Sequence, residues 1–192
     1  MSKKILILNG SPKLEGNTTT LINWFCEGAK QNKADIEIVH IASLKLKTAG
    51  CNSCRACQKI REYKCVINDD AQPVLAKMAE VDVIVMGTPL YFFGPSAQLK
   101  MIMDRMFSLY KWNNEAGTMD TPLKGKTLVL LVSAFEDIGL DITEKPFELT
   151  AAYTKMAFKS LLVPNAGTSG EIHKLKGVRE KAIELGQFVG AR

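Results

Sequence analysis

Apolar and polar positions divide the chain into two alternating kinds of segment. Short runs rich in β-branched residues indicate buried strands at residues 5–8, 36–41, 81–86, 128–132 and 161–163. Helical apolar spacing predicts helices from near Thr18, over residues 72–79, after Pro95, after Pro146 and over residues 178–189. Strands that alternate with helices form a parallel sheet covered on both faces. The pattern therefore predicts an α/β fold with a three-layer, doubly wound, five-stranded parallel sheet.

Residues 44–70 interrupt this alternation directly after the second predicted strand. The segment shows neither the apolar runs of a strand nor the apolar spacing of a helix, and it contains four of the chain's five cysteines. A long irregular segment inside a compact fold commonly carries a functional role. We therefore expect a cysteine-rich insertion after the second strand.

Composition and charge narrow the class of protein. Hydrophobic residues make up 46% of the 192 positions and charged residues 23%, which is typical of a folded globular domain. The net charge of +5 is spread without a block of Lys and Arg, which argues against a nucleic-acid partner. No apolar run approaches the ~20 residues that cross a membrane, and the opening run is too short for a signal peptide. We expect one domain over residues 1–192, cytoplasmic and without a membrane partner.

The segment that follows the first predicted strand has the composition of an anion site. A polar loop there leads directly into an amphipathic helix, whose first backbone N–H groups have no partner within the helix. Gly10 and Gly16 would allow close approach of the backbone. Hydroxyl and amide donors come from Ser11, Asn17, Thr18 and Thr19.

Two common phosphate-binding motifs are absent from this loop. A Walker loop needs Lys-Ser/Thr after its second glycine, and a dinucleotide loop needs Gly-x-Gly-x-x-Gly. Neutral donors without a charged ligand favour an enclosed monophosphate, such as that of FMN. An ordinary strand-to-helix turn capped by Asn or Thr is an equal alternative from this segment alone.

Two further loops follow predicted strands and should reach the same edge of the sheet. Residues 87–95 combine three consecutive aromatic residues with two prolines, which suits a planar isoalloxazine ring. The alternative is that Tyr91, Phe92 and Phe93 only fill the core. Residues 133–139 form the loop after the fourth strand. Ligands of doubly wound sheets bind beyond the carboxyl ends of the strands.

These motifs resemble those of the NADPH-dependent FMN reductases of the flavodoxin-like fold, and the cysteine spacing resembles their iron-sulfur flavoprotein branch. The resemblance extends from about Lys3 to the last helix. It is carried by Gly10-Ser11-Pro12 with Asn17-Thr18, Thr88-Pro89-Leu90-Tyr91-Phe92, Gln98-Leu99-Lys100 and Asp104-Arg105. It implies non-covalent FMN, NAD(P)H as co-substrate, and a homodimer or homotetramer in which the segment after Arg105 helps to cover a neighbour's flavin.

The resemblance also implies individual cofactor-binding residues. It assigns the phosphate of FMN to Ser11, Asn17, Thr18 and Thr19, and the ring to Pro89, Leu90, Tyr91, Phe92 and Gly94. Ser133 opens the third flavin loop, which departs from the glycine-rich or threonine-rich loops of relatives. No catalytic side chain is implied, because the bound flavin carries the chemistry. His40 and His173 match no nucleophile motif.

The cysteines Cys51, Cys54, Cys57 and Cys65 form a Cys-x2-Cys-x2-Cys-x7-Cys pattern. Four sulfurs satisfy either a [4Fe-4S] cluster or a structural zinc. The resemblance to iron-sulfur flavoproteins implies a cluster with these four ligands, whereas many similar reductases keep such a loop without one. A regulatory disulfide is a further alternative. Cys26 lies at a core-facing position and is interpreted as a small buried hydrophobe.

The sequence thus supports an FMN-dependent oxidoreductase that passes hydride from NAD(P)H to FMN and on to a quinone, flavin or other small acceptor. The alternative is an iron-sulfur flavoprotein electron carrier that exchanges electrons with ferredoxin. A third hypothesis is a non-catalytic zinc or redox switch.

Overall fold

The computed structural model describes residues 2–113 and 115–191. The strands are β1 (Lys4–Asn9), β2 (Asp35–His40), β3 (Val83–Pro89), β4 (Lys111–Asn113), β5 (Thr118–Asp120), β6 (Thr127–Ser133) and β7 (Ala157–Val163). The helices are α1 (Asn17–Gln31), α2 (Ala71–Glu80), α3 (Ala97–Arg105), α4 (Leu140–Tyr153) and α5 (Val178–Gly190). Single 3-10 turns lie at Ile41–Ser43, Ala56–Lys59, Met106–Leu109 and Glu171–Lys174.

Five strands form one parallel sheet in the order β2-β1-β3-β6-β7. This is the flavodoxin-like strand order, with its switch point between β1 and β3. The central strands are buried on both faces, which explains their continuous apolar sequences. The predicted doubly wound parallel sheet is therefore confirmed.

Alternate residues of each central strand pack against different helices. Leu6, Ile84 and Leu130 share one core with residues of α2, α3 and α4. Ile7 and Val85 share the other with residues of α1 and α5. The period of two in a strand sends neighbouring side chains to opposite faces, so the fold has three layers.

The start of α4 differs from the sequence prediction. Pro146 was expected to precede the helix, but α4 begins at Leu140 and contains Pro146. Proline cannot donate to the carbonyl one turn earlier, that of Ile142. Ile142 lies on the exposed side of the helix, where water can satisfy the carbonyl. Leu149 and Tyr153 of this helix are also exposed, and Phe147 packs into the core.

A short hairpin was not predicted at all. β4 and β5 pair antiparallel across a segment that reads as polar and irregular in the sequence. Each strand has only three residues, too few to show an alternating pattern. β7 begins at Ala157, four residues before the predicted 161–163 segment, and the other differences in strand and helix bounds are smaller. Among the described residues, no helix combines the length and apolar character needed to cross a membrane.

Residues 41–70 contain no α-helix or strand, and a buried ion pair holds the end of this segment. Arg105 of α3 donates to the Asp69 carboxylate at 2.8 Å and to the Ile67 carbonyl. Asp69 also accepts the backbone N–H groups of Lys47 and Ala71. The side chains of Arg105 and Asp69 are 0% and 1% exposed. Their charges are therefore paired almost entirely within the protein.

Replacing Arg105 by Met should destabilise the fold strongly, because it leaves the Asp69 carboxylate buried without its partner. We expect the free energy of unfolding to fall by about 3–5 kcal/mol, measured by urea denaturation at pH 7. The matched control is Arg179→Met, which removes an exposed pair with Glu27 and should cost below about 1 kcal/mol. The double variant Asp69→Asn/Arg105→Met should recover part of the loss. Equal costs for the two single arginine variants would contradict the buried-pair argument.

Acid should remove the contribution of Asp69 to stability. Burial alone would raise the pKa of Asp69, but hydrogen bonds from Arg105, Lys47 and Ala71 hold that pKa below its usual value. The contribution is therefore complete above the unfolded pKa, near ~3.9, and is lost as pH falls through the lower folded pKa. The stability difference between wild type and Asp69→Asn should be constant near neutrality and shrink below about pH 4. Urea denaturation across this range measures it, and a difference that persists unchanged to about pH 2 would contradict the assignment.

Candidate functional site

Asn9, the last residue of β1, shapes the first loop. Its side-chain oxygen accepts the Ser11 N–H at 3.0 Å, and its amide nitrogen donates to the Thr19 hydroxyl at 3.0 Å. The neighbouring Gly10 lies so close to α3 that an added Cβ would be 2.7 Å from the Leu99 Cβ. Any larger residue at position 10 would push the loop away from α3. These contacts fix the path of the chain from β1 into α1.

The N-terminus of α1 offers unpaired donors. Gly16 is the N-cap residue, and no side chain caps the helix. The first helical bond runs from the Thr20 N–H to the Gly16 carbonyl at 2.9 Å. Within the described chain, the N–H groups of Asn17, Thr18 and Thr19 have no hydrogen-bond acceptor. The first turn also lacks an acidic side chain, so the helix dipole is available to an anion.

A cavity of about 140 Å³ opens in front of this helix end. It is smaller than the roughly 300–1,000 Å³ of sites that enclose a whole ligand, so it can enclose only one end of a larger molecule. Its lining brings together seven of the predicted site residues, which are Ser11, Asn17, Thr18, Pro89, Leu90, Tyr91 and Ser133. Three loops that are distant in the sequence thus meet at one edge of the sheet.

Three predicted site residues do not line the cavity. The Thr19 hydroxyl is used within the loop, by Asn9 and the Lys13 carbonyl. Phe92 is 99% exposed at the tip of its loop. The Gly94 N–H donates to the Tyr91 carbonyl at 3.1 Å and closes a tight turn. The groups of these residues that remain available to a ligand are the backbone N–H of Thr19 and the backbone N–H and exposed ring of Phe92.

Asn17 lines the cavity, but its side chain has a different role from the one predicted. Its amide nitrogen donates to the carbonyls of Ala166 and Thr168, at 2.6 and 2.8 Å. Its amide oxygen accepts the N–H groups of Gly170 and Ile172, at 2.9 and 3.5 Å. The side chain therefore fixes the loop after β7, and only the backbone N–H of Asn17 is free for an anion.

The first and third loops are joined by two buried hydroxyls. Thr18 and Ser133 lie 2.7 Å apart through their hydroxyl oxygens, and either one can be the donor. The Ser133 carbonyl accepts the Leu90 N–H at 2.9 Å, which ties the second loop to the same point. The polar floor of the cavity is thus part of a connected network.

The turn from Tyr91 to Gly94 holds two residues in a left-handed conformation. Phe92 has a φ of +46° and Phe93 a φ of +63°, which residues other than glycine rarely adopt. Such strain commonly occurs at binding sites. The Tyr91 N–H donates to the Gly94 carbonyl, while those of Phe92 and Phe93 have no acceptor in the part of the chain that is described. The turn therefore presents two backbone donors beside exposed aromatic rings.

Sequence reasoning missed several lining residues. Lys13, an exposed cation, lies at the cavity beside the neutral donors. Phe135 is 69% exposed and lies on Gly167, where an added Cβ would come within 1.9 Å of its ring. The small residues Ala166, Gly167 and Ser169 of the loop after β7 complete the lining. Like the other three loops, this loop follows a strand of the parallel sheet. The rule that ligands bind beyond the carboxyl ends of such strands could have identified it from the sequence.

The four cysteines of residues 51–65 are not gathered into a metal site. Cys51 and Cys54 are exposed, whereas Cys57 and Cys65 are buried. Among the described residues, no group of three or more His, Cys, Asp or Glu side chains is arranged to hold a metal. As placed here, the sulfurs do not fit a [4Fe-4S] cluster or a zinc ion. Cys26 is buried as expected, and desolvation raises the pKa of its thiol to about 11.

The chain matches a known protein family over most of its length. The model of the family described as NADPH-dependent FMN reductase matches residues 3–160. This match includes the first three loops of the cavity.

Curated relatives carry the name iron-sulfur flavoprotein. One from Methanocaldococcus jannaschii is 42% identical over 103 residues, which is 53% of this chain and 51% of the relative. One from Archaeoglobus fulgidus is 38% identical over 102 residues, covering 53% of this chain and 48% of the relative. The chain thus spans about half the length of the curated relatives it matches.

Solved structures show the same fold at low identity. An azoreductase from Bacillus anthracis superposes with a TM-score of 0.74 at 14% identity, over 97% of this chain and 99% of its own. An NAD(P)H:quinone oxidoreductase from Methanothermobacter marburgensis superposes with a TM-score of 0.71 at 15% identity, over 99% of this chain and 98% of its own. Identities this low establish the architecture alone.

Replacing Asn17 by Ala should loosen the loop after β7, because four hydrogen bonds to that loop are lost together. We expect a loss of about 1–3 kcal/mol in the free energy of unfolding, measured in urea without added ligand. Asn17→Asp should lower the free energy of unfolding at least as much. A carboxylate can accept the Gly170 N–H, but it cannot donate to the carbonyls of Ala166 and Thr168 and is repelled by them. An Asp variant as stable as wild type would contradict this role.

Proposed function

The chain belongs to the NADPH-dependent FMN reductase family, and from that premise we propose that it is an FMN-dependent oxidoreductase. The observation that carries the proposal is the cavity at the N-terminus of α1. Unpaired N–H groups, buried hydroxyls and a helix dipole converge there, and no carboxylate opposes an anion in the first turn. We infer that this cavity holds the phosphate of FMN.

The donors divide between backbone and side chains. The N–H groups of Asn17, Thr18 and Thr19 point from the helix end, and the hydroxyls of Ser11 and Thr18 lie in the lining. Lys13 adds a positive charge at the exposed side. Hydrogen bonds to a charged phosphate are stronger than bonds between neutral groups. This set can hold one phosphoryl group without a Walker lysine.

The second loop supports the rest of the cofactor. Pro89, Leu90 and Tyr91 form an apolar wall next to the phosphate cavity. The free N–H groups of Phe92 and Phe93 can donate to polar atoms at the edge of a flavin ring and so tune its electronics. When bound, FMN supplies the redox chemistry by accepting a hydride from NAD(P)H and passing reducing equivalents to a small acceptor.

The lining suits chemistry that resides on the cofactor. As far as the described residues go, it contains neither His, Cys, Asp nor Glu. A hydrolase would need such groups for acid-base catalysis, whereas hydride transfer to a flavin depends mainly on the geometry of stacking. We propose a quinone, a flavin or another small molecule as acceptor. We also propose that the chain is a single cytoplasmic domain that assembles as a homodimer or homotetramer.

A second candidate function is that of an electron carrier. The names of the curated relatives and the four-cysteine pattern favour it. In this alternative a cluster held by Cys51, Cys54, Cys57 and Cys65 would exchange electrons with ferredoxin. Because the sulfurs are not arranged as ligands, we derive no electron-transfer step through them.

Comparison of FMN with riboflavin tests the phosphate site, since riboflavin lacks only the phosphate. We expect FMN to bind the apoprotein at least ~100-fold more tightly, measured by quenching of flavin fluorescence. Ser11→Asp should reduce this ratio to near one, because it places a carboxylate in the cavity. The matched control, Ser53→Asp, changes an exposed serine outside the cavity and should leave the ratio unchanged. Equal affinity of wild type for FMN and riboflavin would overturn the assignment.

Anaerobic spectroscopy on freshly isolated protein distinguishes the two functions. Bleaching of the flavin band on addition of NADH or NADPH, with turnover of a quinone, supports the reductase. Iron and sulfide in stoichiometric amounts, with reduction by ferredoxin and none by NAD(P)H, support the carrier. Protein that binds FMN but accepts electrons from neither donor would refute both.

A further inference from the structure

A second cavity of about 360 Å³ lies between the cysteine segment, the hairpin and the end of α4. Its lining consists of Arg55, Gln58, Phe107, Tyr110, Trp112 and Tyr153. It shares no lining residue with the cavity at α1. The volume lies within the range of about 300–1,000 Å³ that is typical of small-molecule sites.

Gln58 fixes the position of the cavity walls. Its amide nitrogen donates to the carbonyls of Phe107 and Tyr110, at 3.3 and 2.9 Å, and its oxygen accepts the Trp112 N–H at 3.4 Å. Lys111 donates to the Cys57 carbonyl beside it. The cysteine segment and the hairpin are therefore joined by directed bonds, and the cavity is built into the fold.

Aromatic rings form most of the lining. The ring of Tyr110 lies 4.9 Å from that of Phe107 and 5.8 Å from that of Tyr153, both edge to face. Trp112 remains 51% exposed. Burial raises the pKa of the Tyr110 phenol above its usual value. Such walls favour a flat aromatic molecule over an aliphatic one.

Arg55 supplies a positive charge at the opening. Its side chain is exposed, and none of the described carboxylates forms an ion pair with it. A guanidinium matches a carboxylate or sulfonate through two parallel hydrogen bonds. A ligand with a negative charge would therefore match the guanidinium at this cavity.

We propose that this second cavity binds a planar aromatic anion, with its ring between Trp112 and Tyr153 and its carboxylate or sulfonate on Arg55. The site shares no lining residue with the flavin cavity of the same chain, and the proposal does not rest on the proposed reductase activity. Because Arg55 lies between Cys54 and Cys57, an occupant would also contact the cysteine segment.

Titration of the FMN-loaded protein with 2-naphthoate tests the proposal, with 2-naphthalenemethanol as the neutral analogue. We expect saturable binding by calorimetry and quenching of tryptophan fluorescence that Trp112→Phe abolishes. Trp24 is buried and should not respond. Arg55→Gln should weaken naphthoate about tenfold and leave the neutral analogue unchanged.

Two further variants make the test specific. Lys59→Gln removes the same charge from an exposed residue outside the lining and should not change naphthoate affinity. Tyr153→Ala removes an aromatic wall on α4 and should weaken both compounds. The proposal fails if naphthoate does not bind, if Arg55→Gln and Lys59→Gln have equal effects, or if the neutral analogue binds as tightly as naphthoate.

Discussion

The parallel sheet pairs Asn9 with Gly87, Pro89 with Ser133, and Ser133 with Val163, so the ends of four strands lie along one edge. Every strand of a parallel sheet points the same way, and each following loop must start from that edge. Loops separated by more than a hundred residues therefore meet. The 2.7 Å contact between the hydroxyls of Thr18 and Ser133 depends directly on this pairing. Without the parallel pairing of these strands, the hydrogen-bond donors of the cavity would lie far apart.

The free helix end has a structural cause. A helix usually has its first N–H groups capped by a side chain, yet α1 begins behind Gly16, which has none. Asn17 could serve as a cap in an isolated peptide, but its amide is bound to the loop after β7. The same side chain thus stabilises one wall of the cavity and leaves the helix donors available to an anion. Folding stability and anion binding are therefore linked through one residue.

Residues 41–70 keep their irregular course because charged and polar groups hold them from outside. The buried pair of Arg105 and Asp69 fixes one end to α3, and Gln58 fixes the middle to the hairpin by accepting the Trp112 N–H. Ordering a segment of this length costs conformational entropy, and without these attachments few contacts would offset that cost. The second cavity exists because these two attachments hold the cysteine segment against the aromatic residues of the hairpin and α4.

Periodicity and turn residues are local signals, and they were enough to predict the sheet, its five strands and three of the loops at its carboxyl edge. The sequence pattern misplaced α4 because a proline inside a helix looks like a proline at its start. Only long-range contacts in the folded chain place the Asn17 amide on the loop at Ala166 and the Phe135 ring on Gly167. These are contacts between residues distant in the chain, and spacing along the sequence carries no information about them.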